Sequence, residues 1–255
     1  MTKTLILGGA TEARLLAGRL AARGDLDITL SLAGRTVEPA EQPVPVRSGG
    51  FGGPQGLARY LEDNEIDLLI DATHPYAAWI SRNASIAARL SGVPAFALRR
   101  APWKATAGDR WTFVNGAQEA VTALGSQPRR VFLALGRQEI GAFAQAPQHA
   151  YVIRSVDPIE PPLDVPDADY MLARGPFAEA AERRLLADRR IQVIVAKNSG
   201  GSATYAKIAA ARALGIDVIL LQRPDVPDMP AVETVGEAVE MANHLLDSAV
   251  RKRGV

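Results

Sequence analysis

The chain has no cysteine among its 255 residues. That excludes disulfides, thiolate metal ligands and a cysteine nucleophile. Histidine is nearly as scarce. The three present, His74, His149 and His244, lie too far apart in sequence to suggest a histidine-rich metal centre, so no bound metal is expected. An excess of one charge is also lacking: 29 basic residues stand against 28 acidic ones, for a formal net charge of +1. Such a balance gives no electrostatic field for nucleic acid, although local basic loops still suit a small anion. No apolar run approaches the ~18 residues needed to cross a bilayer. The opening stretch "MTKTLILGGATEAR" breaks its short apolar run at Gly8 and Gly9, unlike a signal peptide. These absences lead to the expectation of a cytoplasmic protein with neither nucleic acid nor membrane among its partners. What is present is a 47% hydrophobic composition, enough to build one large core or two small ones.

Apolar runs alternate with helix-like segments along the chain. Strands are expected at 4–7, 27–32, 67–70, 94–98, 130–135, 151–153, 170–173, 192–196 and 218–221. Helices are expected at 11–23, 55–64, 76–90, 139–144, 177–187, 203–214 and 236–246. Continuous apolar strands between helices indicate parallel sheets covered on both faces. Residues 99–115 carry Arg99, Arg100 and two tryptophans with little periodicity, which suits a crossover. The fold class expected is α/β: two Rossmann-like lobes, parallel sheets flanked by helices, and a cleft between them. The first lobe is placed at 1–115 and the second at 116–255. The proline-rich "DPIEPPLDVPDAD" reads as a long surface connection.

In open α/β sheets, ligands bind beyond the carboxyl ends of the strands, so the loops after strands carry the candidates. "LGGATEA" places Gly8, Gly9, Ala10 and Thr11 between a strand and a helix. Glycine lets a phosphate approach the backbone, and the helix amino terminus supplies amide donors. The glycines are adjacent rather than spaced as Gly-x-Gly-x-x-Gly, and Glu12 opposes a phosphate placed over its side chain, so an ordinary turn is the competing reading. "SLAGRT" follows the next strand. An acidic residue here binds the ribose of NAD; this chain has Ser31, Gly34 and Arg35, which favour NADP if a dinucleotide binds, although an exposed arginine is the plainer account. "DATHPYA" brings Thr73, His74 and Tyr76 to the end of an apolar strand, with Asp71 and His74 equally readable as turn and loop residues. "LGRQEI" supplies Arg137, and "AKNSGGSATYAK" supplies Lys197, Asn198, Ser199 and Ser202 beside Gly200 and Gly201, a nest for carboxylates or phosphates without Walker spacing.

Taken together, "ILGGATEAR", "DATHPYA", "RAPW", "LGRQE" and "KNSGG", in this order and over nearly the whole chain, resemble the precorrin-6A reductases of cobalamin biosynthesis. The resemblance implies an NADPH-dependent oxidoreductase. It passes a hydride to a carbon–carbon double bond of precorrin-6A to give precorrin-6B. A relative acts on a cobalt-containing substrate, and neither metal nor flavin is implied for the enzyme. The glycine turn, Ser31, Gly34, Arg35, Thr73 and His74 would then hold NADPH. Arg100, Arg137, Lys197 and residues 198–201 would meet the carboxylates of the tetrapyrrole, and His74, Tyr76 or water would deliver the proton. Trp103 would stack on the ring's flank, with a buried tryptophan in the linker as an equally common reading. The partner implied is the tetrapyrrole, with room for transient contact with neighbouring pathway enzymes. Two alternatives stand beside this: a non-catalytic two-lobed binding protein for an anionic metabolite, and a tetrapyrrole methyltransferase.

Overall fold

The apolar run near the start of the chain forms strand β1 (Thr2–Leu7) and the periodic segment after it forms helix α1 (Thr11–Ala21), in a computed structural model that describes residues 1–34 and 40–253, those beyond 247 as backbone only. Then come β2 (Leu26–Leu32), β3 (Val46–Ser48), α2 (Gly53–Asp63), β4 (Leu68–Asp71), α3 (Ala78–Ser91) and β5 (Ala95–Leu98). The next stretch holds β6 (Trp111–Val114), α4 (Ala117–Leu124), β7 (Arg130–Ala134), α5 (Arg137–Ile140), a 3-10 turn (Gly141–Gln145) and β8 (Ala150–Ser155). It continues through β9 (Ala168–Leu172), α6 (Glu179–Asp188), β10 (Val193–Lys197), α7 (Ala206–Leu214) and β11 (Asp217–Leu221). β12 (Ala231–Val232) and α8 (Val235–Arg253) complete the chain.

Each of two compact units is built on one parallel six-stranded sheet. The first comprises Met1–Ala101 and Asp225–Val255, with strand order β3-β2-β1-β4-β5-β12. The second comprises Pro102–Pro224, with order β9-β8-β7-β10-β11-β6. Parallel strands need crossovers, and those crossovers cover both sheet faces. In β1 the consequence is visible residue by residue, because side chains alternate across a strand. Ile6 packs with Leu16, Leu20, Leu68, Ile70 and Phe96 on the α1 side. Leu5 and Leu7 pack with Leu57, Leu61 and Leu69 on the other side. Burying each such side chain stabilises the fold by about 1.5–3 kcal/mol relative to leaving it exposed.

The expected boundary at 115/116 needs correction. The chain enters the second unit at Pro102, and its last stretch, from Asp225, returns to the first. There β12 pairs with β5, and Ala238, Ala242 and Leu246 of α8 join the α1-side core. The expected 99–115 crossover also contains an element, β6, which pairs with β11. β6 is a four-residue edge strand with Thr112 and Phe113 exposed, so it shows no apolar run. Neither β12, with two residues, nor α4, with only Ala120 and Leu124 buried, gives a readable period. The proline-rich segment is the connection between β8 and β9, as expected.

From its first central strand each sheet runs two strands to one side and then turns to the other. The reversal falls between β1 and β4 in the first unit and between β7 and β10 in the second. Such a switch point opens a crevice at the carboxyl ends of the strands. It brings the loops after β1 and β4 together, and separately those after β7 and β10.

One polar group lies deep in the second unit. Arg154 on β8 meets Glu182 on α6 through two parallel contacts, Nη1 to Oε1 at 2.6 Å and Nη2 to Oε2 at 2.9 Å, with both side chains about 5% exposed or less. The guanidinium lies over Phe177 at 3.9 Å and Phe132 at 4.9 Å. Buried Lys207 on α7 lies near this pair and donates to the Thr204 carbonyl at 2.7 Å. Burial pushes its pKa down to about 7, with Arg154 adding to the effect and Glu182 opposing it.

Two measurements follow. Arg154→Met leaves a buried carboxylate unpaired and should cost about 3–5 kcal/mol in urea unfolding, whereas Arg154→Met with Glu182→Leu should recover most of that loss. Equal losses in the single and double variants would show that the two charges are not coupled. Lys207 holds fewer protons folded than unfolded between about pH 7 and its ordinary value of 10.5. Its destabilising effect is therefore full below about pH 7 and fades as pH rises through that window. The stability advantage of Lys207→Met over the parent should shrink steadily between these limits. A pH-independent difference would mean that the lysine does not titrate there.

Candidate functional site

In the first unit, the loop after β1 is stitched to both neighbours. The Gly8 amide donates to the Ser31 carbonyl at 2.9 Å, and the Ala72 amide donates to the Leu7 carbonyl at 2.9 Å. A Cβ on Gly8 would lie 2.6 Å from Leu30 Cδ1, and Gly9 has φ +119°, a conformation that favours glycine. Ala10 occupies the N-cap of α1, so no side chain caps that helix and its first amides face outward from the turn. Thr11, its first residue, is exposed. Glu12, one residue further on, is neutralised by an ion pair with Arg100, which follows β5. The carboxylate that argued against an anion at this turn is thereby offset.

A pocket of about 160 Å³ opens beside the turn, lined by Gly8, Ser31, Gly49–Gly53 and Thr73 among others. It joins three of the expected positions. Gly34, at φ +71°, comes close to the Gly49 amide, 3.8 Å from where its Cβ would be. Arg35 lies outside the described residues. The glycine-rich loop itself, "GGFGG" at 49–53, is not singled out by periodicity. Its signal is four glycines in five residues before a helix. The strand ahead of it, β3, is too short and too exposed to mark the loop as a strand-to-helix turn.

The "DATHPYA" loop closes one side. Asp71 is 2% exposed, and its Oδ1 accepts from the Thr73 hydroxyl at 2.6 Å and the Thr73 amide at 3.2 Å. Its Oδ2 has no hydrogen-bond partner among the described residues. Because the Thr73 hydroxyl donates to Asp71, it offers lone pairs to whatever enters the pocket. His74 Nδ1 accepts from the Tyr76 amide at 3.3 Å, and the His74 carbonyl accepts from Ala77 at 2.7 Å. The ring proton therefore sits on Nε2 in this geometry. The rings of His74 and Tyr76 lie 5.6 Å apart.

In the second unit, Lys197 at the end of β10 pairs with Glu139 of α5 at 2.6 Å. Asn198 accepts from the Trp103 amide at 2.8 Å and donates to the Trp103 carbonyl at 3.1 Å, so both ends of its amide hold that backbone. The Trp103 indole donates to the Gly201 carbonyl at 2.8 Å and is 8% exposed within the core. Of the two readings of Trp103, the buried one holds: its ring lies in the core cluster with Ile208 and its neighbours rather than open to a ligand. Gly200 and Gly201 both adopt φ +68°. Arg223, which follows β11, donates to the carbonyls of Asn198 at 2.9 Å and Ser199 at 3.1 Å. It ties the loop down, a role visible only once β10 and β11 are paired. Arg137 is exposed, 3.5 Å from the Pro158 carbonyl. The exposed tryptophan is Trp79 at the start of α3, 75% accessible with Arg82 5.4 Å from its ring.

Among the described residues no cluster of three or more His, Asp or Glu is placed to hold a metal ion, and no helix is long and apolar enough to cross a membrane.

Comparison with known proteins is consistent with this arrangement. Residues 3–243 match the family model described as precorrin-6x reductase CbiJ/CobK. A precorrin-6A reductase from Sinorhizobium sp is 58% identical over 247 residues, 97% of this chain and 95% of the relative. A precorrin-6A reductase from Rhodobacter capsulatus is 48% identical over 255 residues, covering both chains in full. The solved structure of CobK precorrin-6A reductase superposes with a TM-score of 0.92 at 48% identity, over 96% of this chain and 97% of that one.

Proposed function

The chain belongs to the precorrin-6x reductase family CbiJ/CobK, and from that premise we propose that it reduces a carbon–carbon double bond of precorrin-6A, giving precorrin-6B, with NADPH as the reductant. The observation that carries the cofactor reading is the convergence of Gly8, Ser31, Thr73 and the 49–53 glycines on one pocket at the switch point of a Rossmann-ordered sheet. The residues present suit a dinucleotide. Gly8, Gly9, Ala10 and Thr11 supply an uncapped helix terminus for a pyrophosphate, and Arg100 cancels the charge of Glu12 in the first turn of that helix. When bound, NADPH supplies the hydride.

The chain's own part is to bind, orient and manage a proton. Thr73, held by Asp71, presents an acceptor to the cofactor's donor groups. His74 shapes the loop by accepting from Tyr76. The carbon beside the one that takes the hydride needs a proton, and Tyr76 or water supplies it. For the carboxylates of the tetrapyrrole, Arg137 is the more exposed of the two second-unit cations expected at the site. Gly200 and Gly201 offer the backbone amides of the turn, the Ser199 amide being held by the Lys197 carbonyl, while Lys197 contributes as half of an ion pair with Glu139.

The direct test is to mix the protein with precorrin-6A and NADPH and follow the nicotinamide absorbance. Consumption should require both compounds and run slower with NADH. No consumption with authentic substrate would remove the reductase reading. A second test separates the two roles of His74. Asparagine at 74 accepts an amide two residues on, as side chains of this type do in turns. His74→Asn should therefore keep kcat within about ten-fold, whereas loss of a general acid costs about 10²–10⁴-fold. A hundred-fold fall in kcat with the fold and NADPH affinity intact would assign the proton to His74.

A further inference from the structure

Arg47 stands where the first unit should read the adenosine end of a dinucleotide. In the parallel pairing of β2 with β3, Ser31 and Arg47 are register partners, and Arg47 Nη1 lies 3.4 Å from Ser31 Oγ. In a sheet of this order the strand beside the first one ends near the adenosine ribose, where an acidic side chain binds the hydroxyls of NAD. Here that place holds a hydroxyl and a guanidinium.

The guanidinium is fixed by four further contacts. Nη1 donates to the Gly49 carbonyl at 2.6 Å and Nη2 to the Gly50 carbonyl at 2.8 Å. Its plane lies over Phe51, 3.7 Å from the ring centroid, and 5.2 Å from that of Tyr60. These partners hold the fork without cancelling its charge. That sets Arg47 apart from Arg100, Arg154 and Lys197, each of which meets a glutamate. Among the described residues no carboxylate pairs with Arg47. A positive charge already immobilised at the rim of a pocket gives up little side-chain freedom when an anion arrives.

We propose that Arg47 is the specificity-determining residue that selects NADPH over NADH, by pairing its guanidinium with the 2′-phosphate beside Ser31. The inference rests on the dinucleotide reading of this pocket and adds to it the residue that discriminates. Arg47 also organises the glycine loop, so a purely structural role has to be distinguished by experiment.

Calorimetric titration with adenosine 2′,5′-bisphosphate and with 5′-AMP isolates the phosphate from the rest of the cofactor. The parent should prefer the bisphosphate. Arg47→Gln should weaken it by about ten- to a hundred-fold, as expected for lost hydrogen bonds to a charged group, while 5′-AMP changes by less than about two-fold. Arg47→Lys keeps the charge but cannot span two carbonyls. It should recover part of the preference if the charge matters and none if only the loop does. With the intact enzyme, the same variants should lose kcat/KM for NADPH and not for NADH. Equal loss for both nucleotides, or for both cofactors, would overturn the proposal, as would a Lys variant no better than Gln. If the parent bound neither nucleotide, the cofactor reading would fail and this inference with it, an outcome distinct from loss of selectivity alone.

Discussion

A parallel sheet covered on both faces leaves almost no room for polar side chains along its strands, and the rest of this molecule follows from that. Leu68, Leu69 and Ile70 are wholly buried, each pointing into one apolar layer or the other. The next residue, Asp71, is at the carboxyl end, where the layers stop. The same happens in β10, where Val193 to Ala196 are buried and Lys197 emerges. Chemistry is thereby forced to the strand ends. Because both sheets reverse direction once, the ends that matter are those of β1 and β4, and of β7 and β10.

Charge at these ends is then managed locally. Removing an ion from water costs several kcal/mol unless a partner and hydrogen bonds restore what is lost. Glu12 and Arg100 meet beside the glycine turn, and Glu139 and Lys197 beside the second-unit loop. In each case one residue comes from a helix that follows the loop and the other from the end of a strand. The cations expected to meet substrate are therefore not equivalent. Arg100 and Lys197 each carry a glutamate with them, whereas Arg137 lies in the open with a backbone carbonyl as its neighbour. Asn198 and Arg223 are occupied in holding Trp103 and the 198–199 backbone, so the second-unit loop is a braced structure rather than a loose basic patch.

Rigidity of this kind fits the proposed chemistry, because hydride transfer depends on close approach and alignment and a loop already in place has little left to order. The Asp71–Thr73 contact sets which way a hydroxyl points, and the His74–Tyr76 contact sets the shape of the turn that follows. Both are short-range, within two residues, so they are built with the strand end itself.

The sequence by itself determined the fold class, most of the strands and helices, and which strand-end loops stand as candidate sites, because apolar runs and glycine turns are local signals written over a few residues. Its family motifs also pointed to the reductase activity. It did not determine that Asp225 onward belongs with the first unit, since two-residue β12 gains its identity only by pairing with β5. Nor did it show that Trp103 is buried, that Glu12 is neutralised 88 positions away by Arg100, or that Arg47 faces Ser31 across a strand pair. Those facts depend on register between strands and on which helix end meets which loop. A local pattern constrains what a residue can do, but only the folded chain decides what stands next to it.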